Sequence, residues 1–318
     1  MKTICPEELL ESSVAPRTLT LGEYAHQVIE HQYQTILKQE KKVLADQDPE
    51  YLHDMRVAMR RLRTALQVFE RAIVLPKRAQ AKQVGAIAKV LGHLRDLDVQ
   101  LADLRDHYQP QMQGPQQRLL NGILKSLKRE RKQAFTATKH LLSRSPYRQF
   151  KVAYQHWLAH PCYTSLARLP LLAVLPDLLS PLLSNLLLHP GWFIQVTDPS
   201  AAGSDVLHDL RKACKHARYQ AEFFAPFYGE ALQTWIQEVK HLQDRLGKVH
   251  DSQVLLALIQ AHVPPKTNLQ EVQSLVQQTF VQEMGGWERL RLQYLDPDYR
   301  YSLHRMLLSP LALNGPTG

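Results

Sequence analysis

The fold of this chain is decided by one stretch, HDMRVAMRRLR, at residues 53–63. At about 100° per residue, four basic side chains lie within roughly 80° of one another on a helix. We call these four residues the first basic row: His53, Arg56, Arg60 and Arg63. The apolar residues occupy the opposite side: Met55, Met59, Leu62, Leu66 and Phe69. The pattern therefore predicts a helix with one cationic face and one face that packs in a core.

The same pattern returns 155 positions later, in the stretch HDLRKACKHAR at residues 208–218. The second basic row consists of the residues at the matching positions: His208, Arg211, Lys215 and Arg218. Another pair of blocks keeps this offset, LGHLRDLDV at residues 91–99 and LGKVHDSQV at residues 246–254. Two blocks at one offset predict that the chain consists of duplicated halves.

Helical periodicity and cap signals cover most of the chain, and strand signals are nearly absent. We therefore predict an all-α fold. The predicted helices occupy roughly residues 20–45, 49–73, 76–108, 115–142, 146–158, 205–227, 230–262, 267–295 and 297–309. The leucine-rich segment at residues 166–189 contains Arg168, Asp177 and three prolines. Because spanning a bilayer takes about 20 consecutive apolar residues, we predict a short buried helix here and no membrane insertion.

Composition restricts the partners and the compartment. The chain has 318 residues, a formal net charge of +9 and a pI near 9.4, which favours a polyanionic partner. Cys5, Cys162 and Cys214 form no CxxC pattern, so neither a disulfide framework nor a zinc site is predicted. Glutamates near the amino terminus replace the apolar run of a signal peptide. We expect a cytoplasmic location.

The four spaced motifs resemble those of the CHAD domain, the conserved histidine α-helical domain, over roughly residues 20–310. The resemblance implies two related helical bundles whose basic residues bind inorganic polyphosphate. We expect the first half at about 20–160, the second half at about 165–310, and terminal tails at 1–19 and 311–318. Some family members carry a triphosphate-tunnel domain ahead of the CHAD domain, and we expect none here because too few residues precede the first helix.

Two duplicated bundles related by a pseudo-twofold axis would place both rows in a common basic groove or pore. We predict that polyphosphate contacts the rows and their flanking cations: His53, Arg56, Arg60, Arg61, Arg63, His208, Arg211, Lys212, Lys215 and Arg218. Supporting residues are expected on the same helices and on their neighbours: Lys82, Lys89, Arg95, Asp96, Tyr219, Lys240, Lys248, His250 and Asp251. The aspartates, with Asp98, are expected to orient arginines. Gly92 and Gly247 are expected to permit close approach of helices.

Two other functions compete with this interpretation. Proteins that bind single-stranded nucleic acid interleave aromatic residues with cations, and only Tyr219 does so in the two rows. The HD dipeptides at 53–54, 208–209 and 250–251 could belong to a metal-dependent phosphohydrolase. Adjacent residues of a helix point about 100° apart, however, and an arginine-lined site repels a divalent metal. We therefore predict polyphosphate binding without catalysis, metal or cofactor, in the cytoplasm or on polyphosphate granules.

Overall fold

The computed structural model describes residues 3–4, 19–111, 113–195, 201–262 and 269–311. Helices dominate these residues, which confirms the all-α prediction. The helices are α1 Leu21–Ala45, α2 Pro49–Val68, α3 Ala81–Asp103, α4 Gly114–Ser143, α5 Ser145–Ala159, α6 Leu171–Leu187, α7 Ala201–Phe224, α8 Glu230–His262, α9 Gln270–Glu283, α10 Trp287–Leu295 and α11 Pro297–Leu307. The strands are β1 Thr3–Ile4, β2 Ile73–Val74 and β3 Cys162–Thr164.

The chain divides into two compact units, Met1–Leu171 and Leu172–Gly318. In the first unit, α1 packs on α2, α2 on α3, and α3 on α4. The predicted capping box begins α1: the Thr20 amide donates to the Glu23 carboxylate at 2.9 Å, and the Glu23 amide donates back to the Thr20 hydroxyl at 3.3 Å.

Helix α2 begins as its sequence predicts. The Asp48 carboxylate accepts a hydrogen bond from the Glu50 amide at 2.8 Å, and Pro49 occupies the first helical position. Met55, Met59 and Leu62 are fully buried, so the apolar side of α2 packs in the core and the first basic row lies on its other side. These contacts fix the direction in which the row points.

The predicted end of α2 is wrong, because the helix stops at Val68 and residues 73–74 form strand β2. The pairing that ends it is distant in sequence. Strand β3 pairs antiparallel with β2 on one side and with β1 on the other. The backbone groups of Ile73 and Val74 pair with strand β3 in this sheet, so the helix ends before them.

In the second unit, α7 packs on α8, and α8 packs on α9. Leu210, Cys214 and Ala217 bury one side of α7, which orients the second basic row as in α2. Burial raises the pKa of the Cys214 thiol to about 12, consistent with an inert core residue. The helix begins at Ala201 rather than near residue 205.

The single helix predicted for residues 267–295 is in fact two helices, α9 and α10. Gly286 separates them with a φ of 80°. Residues with a Cβ rarely adopt this left-handed backbone conformation, so a glycine occupies the break between the two helices. The Gly285-Gly286 pair carried this signal in the sequence.

The leucine-rich segment requires one correction. Residues 171–193 are long and apolar enough, by length and composition only, to cross a membrane. The prediction that this segment has too few apolar residues to span a bilayer is therefore wrong. In the structure, α6 ends at Leu187, and Pro176 and Pro181 lie within it. Trp192 beyond its end is fully buried and stacks on Tyr294 with ring centroids 4.2 Å apart. This packing favours a structural role within the second unit.

Candidate functional site

The first basic row lies along the side of α2 that faces away from the apolar core. Its histidine and arginines are all at least partly exposed, and so is the flanking Arg61. The row is therefore accessible to a ligand along about three turns of helix.

Helix α3 supplies the partners of this row. Arg56 Nη1 donates a hydrogen bond to Asp96 Oδ1 at 3.0 Å. Arg95, which the sequence placed in a supporting role, is paired with Glu50 at 3.1 Å. Asp96 therefore orients an arginine of the row as predicted.

The second basic row lies along the outer side of α7, with Lys212 exposed beside it. Arg211 Nη2 lies 3.7 Å from Asp251 Oδ1 on α8, and the ammonium of Lys212 contacts the carboxylate of Asp209. Asp251 thus stands beside Arg211 as Asp96 stands beside Arg56. Both pairs of positions are 155 residues apart, so the duplicated blocks repeat a contact as well as a sequence pattern.

Glycines complete the repeated contact. A Cβ built on Gly92 would lie 4.0 Å from Arg56 Nε, and one built on Gly247 would lie 3.3 Å from Arg211 Nε. The expected role of these glycines was close approach of helices. The structure places the side chain of an arginine against each of them instead.

Histidines mark a difference between the two units. The rings of His208 and His250 stack with centroids 3.8 Å apart. Burial, His208 and the nearby Arg211 lower the pKa of His250 to about 4. Burial and Lys212 also lower the pKa of His208, whose Nδ1 is buried without a hydrogen-bond partner among the described residues. The pair is therefore uncharged at neutral pH in the absence of a ligand.

The corresponding position in the first unit holds a permanent cation. Arg95 is the counterpart of His250 at the offset of 155. Burial lowers the pKa of His53, and the charge of Arg95 lowers it further. Both row histidines thus lie in cationic surroundings that a bound anion would neutralise.

Asp98 has a different role from Asp96. Arg131 on α4 donates to Asp98 at 2.7 Å and also holds Asp46 with both terminal nitrogens. These contacts raise the pKa of Arg131, led by the hydrogen bonds to Asp46. Asp98 therefore orients an arginine, but one that joins α3 to α4 and the end of α1 rather than one in the row.

The remaining supporting residues are four lysines and one tyrosine. Lys82, Lys89 and Lys240 are exposed. Lys248 donates to Glu283 of α9 at 2.8 Å, a partner that its sequence neighbours did not indicate. Tyr219, the one aromatic residue expected to offer stacking surface, is only 6% exposed. The Arg218 guanidinium lies over its ring at 4.6 Å, so this ring offers little surface to a base.

The structure adds one histidine that sequence reasoning missed. His189 Nδ1 accepts a hydrogen bond from the Gly191 amide at 3.0 Å, and Asp209 and Lys212 of α7 both influence its pKa. Burial is the largest effect and lowers that pKa. Among the residues that the structure describes, no three His, Cys, Asp or Glu side chains are grouped so that they could hold a metal ion.

The fold and these rows define a class, an all-helical protein with an arginine-rich cationic face in each of its two units. The sequence model of the CHAD domain matches residues 27–260, so the chain belongs to the CHAD domain family. No curated protein matches the chain in sequence.

Solved structures share the fold. The CHAD domain from the plant Ricinus communis is 21% identical, with 95% of this chain and 97% of that chain covered and a TM-score of 0.63. PptA from Streptomyces chartreusis is 15% identical, with 91% and 100% covered and a TM-score of 0.55. At these identities the likeness concerns the fold alone.

Proposed function

We propose that this protein binds inorganic polyphosphate through the two basic rows, without a catalytic step. One observation carries the proposal: each unit presents the same spacing of cations, with an arginine held between a glycine and an aspartate of the next helix. A surface that only needs charge for solubility does not require this registered arrangement.

The chemistry of the rows suits a phosphate chain. Such a chain offers only charged oxygens, and a guanidinium can donate to two oxygens at once. Like charges spaced three or four residues apart on a helix repel one another, and a bound polyanion relieves that repulsion. The family membership of the chain supports polyphosphate as the anion.

Nucleic acid is the main competitor for these rows. Binding to single strands gains much of its free energy from stacking of bases on aromatic side chains. Tyr219 is buried beneath Arg218, so its ring does not serve this purpose. We infer that the rows favour a polyanion without bases.

The pseudo-twofold arrangement of duplicated bundles, with both rows in a common groove or pore, remains part of the proposal. The repeated contacts at an offset of 155 support the duplication. The cytoplasmic location is likewise proposed, and the free thiols of Cys162 and Cys214 are compatible with a reducing compartment.

Competition and paired variants test the binding. Long polyphosphate should displace single- and double-stranded DNA at matched phosphate concentration and fixed salt. Changing Arg56, Arg60 and Arg63 to Ala should weaken polyphosphate binding at least tenfold, since a hydrogen bond to a charged group contributes roughly 1.5–3 kcal/mol. It should also flatten the salt dependence, because fewer counterions are released.

The matched control removes the same charge from the exposed face of α4, by changing Lys125, Lys128 and Arg129 to Ala. This variant should bind almost as well as the unchanged protein. Equal losses from both triples would mean diffuse attraction to a basic surface, and preference for DNA would favour the nucleic-acid function. Metal-dependent phosphate release that disappears when His208 is changed would contradict the non-catalytic proposal.

A further inference from the structure

Three glycines on the partner helices lie directly against arginine side chains of the basic rows. A Cβ on Gly247 would be 3.3 Å from Arg211 Nε and 3.5 Å from Nη2. A Cβ on Gly85 would be 3.6 Å from both Nε and Cζ of Arg63. Gly92 faces Arg56 Nε at 4.0 Å. In all three positions the closest neighbour is a guanidinium group.

Other glycines in the protein show what a purely structural role looks like. A Cβ on Gly22 would lie 2.8 Å from the Cβ of Ala167, and one on Gly191 would lie 2.9 Å from the Cβ of Leu210. Those two positions allow apolar elements to approach closely. Gly85, Gly92 and Gly247 face guanidinium groups instead, although glycine is among the poorest helix formers.

The acidic residues one turn further along hold the end of the guanidinium. Asp96 accepts from Arg56 Nη1 at 3.0 Å, and Asp251 lies 3.7 Å from Arg211 Nη2. In the second unit, Arg211 Nε is buried with no hydrogen-bond partner among the described residues. The guanidinium is thus covered on the side of its Nε, and one terminal nitrogen faces the aspartate.

The arrangement differs where the glycine is replaced. The counterpart of Gly85 in the second unit is Lys240, and the counterpart of Arg63 is Arg218. Arg218 lies over the ring of Tyr219 and pairs with Glu222 at 3.6 Å on its own helix. Where a lysine occupies the position of the glycine, the arginine is thus paired with residues of its own helix.

We propose that Gly85, Gly92 and Gly247 are positioning residues that seat the guanidinium groups of Arg63, Arg56 and Arg211 against the partner helix as pre-held donors to phosphate oxygens. The inference rests on the proposed function and extends it to residues that carry no charge. A planar fork held in place loses less conformational freedom on binding than a mobile side chain, so a seated arginine binds a phosphate more tightly. Lysine has no fork and gains nothing from the seat.

The test changes Gly247 to Ala in the full chain and measures affinity for long polyphosphate. The added methyl group would lie 3.3 Å from Arg211 Nε, so the guanidinium must shift by a few tenths of an ångström. We expect a loss of up to about tenfold, the size of one charge-assisted hydrogen bond. Gly92→Ala should cost less, because its Cβ meets Arg56 at a longer distance. The control is Gly122→Ala on α4, where a Cβ would meet nothing within 4 Å. It should leave affinity unchanged.

A double-mutant cycle separates positioning from a structural effect. Alanine favours helix over glycine, so Gly247→Ala should not lower the melting temperature. If Gly247 acts through Arg211, adding Gly247→Ala to Arg211→Ala should cause no further loss of affinity. Additive losses, or full affinity in the Gly247→Ala variant, would overturn the inference.

A second measurement tests the position of the Arg211 guanidinium without any ligand. The Nε–H resonance of Arg211 should be protected from solvent exchange in the unchanged protein and lose that protection in the Gly247→Ala variant. If the unchanged protein binds no polyphosphate, the proposed function fails while this resonance still reports on the seat. Identical exchange in both proteins would refute the seat whatever the ligand.

Discussion

At the scale of single residues, the two units differ in how their row histidines are paired. His208 stacks on His250, whereas His53 lies near Arg95, whose charge lowers its pKa more than any other nearby charge does. The offset of 155 aligns Arg95 with His250, so the exchange was visible in the sequence. The stacking was not, because the sequence gives helix faces but no rotamers.

The histidine pair predicts a pH-dependent affinity. The groups that lower the pKa of His250, after burial, are His208, Arg211, Lys215 and Lys212. A bound polyanion favours the protonated imidazole and raises this pKa. Affinity for long polyphosphate should therefore rise as pH falls from about 6.5 toward 4, by at most about tenfold per pH unit for each proton taken up.

Folding stability should respond in the opposite direction. Because the folded-state pKa of His250 is depressed from 6.5 to about 4, the unfolded chain binds more protons between these values. The free protein should therefore lose stability as pH falls through that window.

Binding titrations at several pH values test the pH dependence of the affinity. His250→Gln should reduce the slope of affinity against pH. The control is His241→Gln, at an exposed position of the same helix, which should leave that slope unchanged. Equal slopes in both variants would contradict the role of the His208–His250 pair.

At the scale of elements, the sequence predicted the helix boundaries that a local cap determines and missed a boundary that depends on a distant strand. Local caps such as Asp48 and Thr20 decide the starts, and both are confirmed. The end of α2 depends on pairing between β2 and β3, whose strands are more than 80 residues apart. No local pattern encodes such a partner, so the prediction continued the helix through residue 73.

The contact between α4 and α3 predicts a stability effect separate from binding. Changing Arg131 to Ala leaves the Asp98 carboxylate, which is only 8% exposed, without its cation. A buried charge without its partner is costly, so we expect a loss of about 2–4 kcal/mol in unfolding free energy. Urea denaturation measures it, with exposed Arg129→Ala as a control expected within about 0.5 kcal/mol. Equal midpoints for both variants would show that the contact contributes little.

At the scale of the whole molecule, the sequence patterns repeated at an offset of 155 were visible before the structure, and each unit contains the same arginine–aspartate contact. The rows could be predicted because charge at helical spacing determines a face. The residues that hold the arginines were predicted only in part: Asp96 and Asp251 as partners, Gly92 and Gly247 with another role, and Gly85 without any. The sequence pattern does not distinguish a glycine that faces a helix from one that faces a side chain.

The presence of one basic row in each unit leads to a prediction about the length of the polyphosphate chain. If one long polyphosphate chain engages both rows, the second contact is intramolecular, and affinity should exceed that of a short chain by roughly 10²–10⁴-fold. Tripolyphosphate should then bind each row separately, with two sites per protein. Changing Arg211, Lys215 and Arg218 to Ala should leave tripolyphosphate one site and remove most of the long-chain advantage. Changing Lys125, Lys128 and Arg129 to Ala should preserve both tripolyphosphate sites and the long-chain advantage.

Calorimetric titration with the two ligands gives stoichiometry and affinity together. A long-chain advantage that survives loss of the second row would mean that the rows bind independently, since a single remaining row cannot supply an intramolecular second contact.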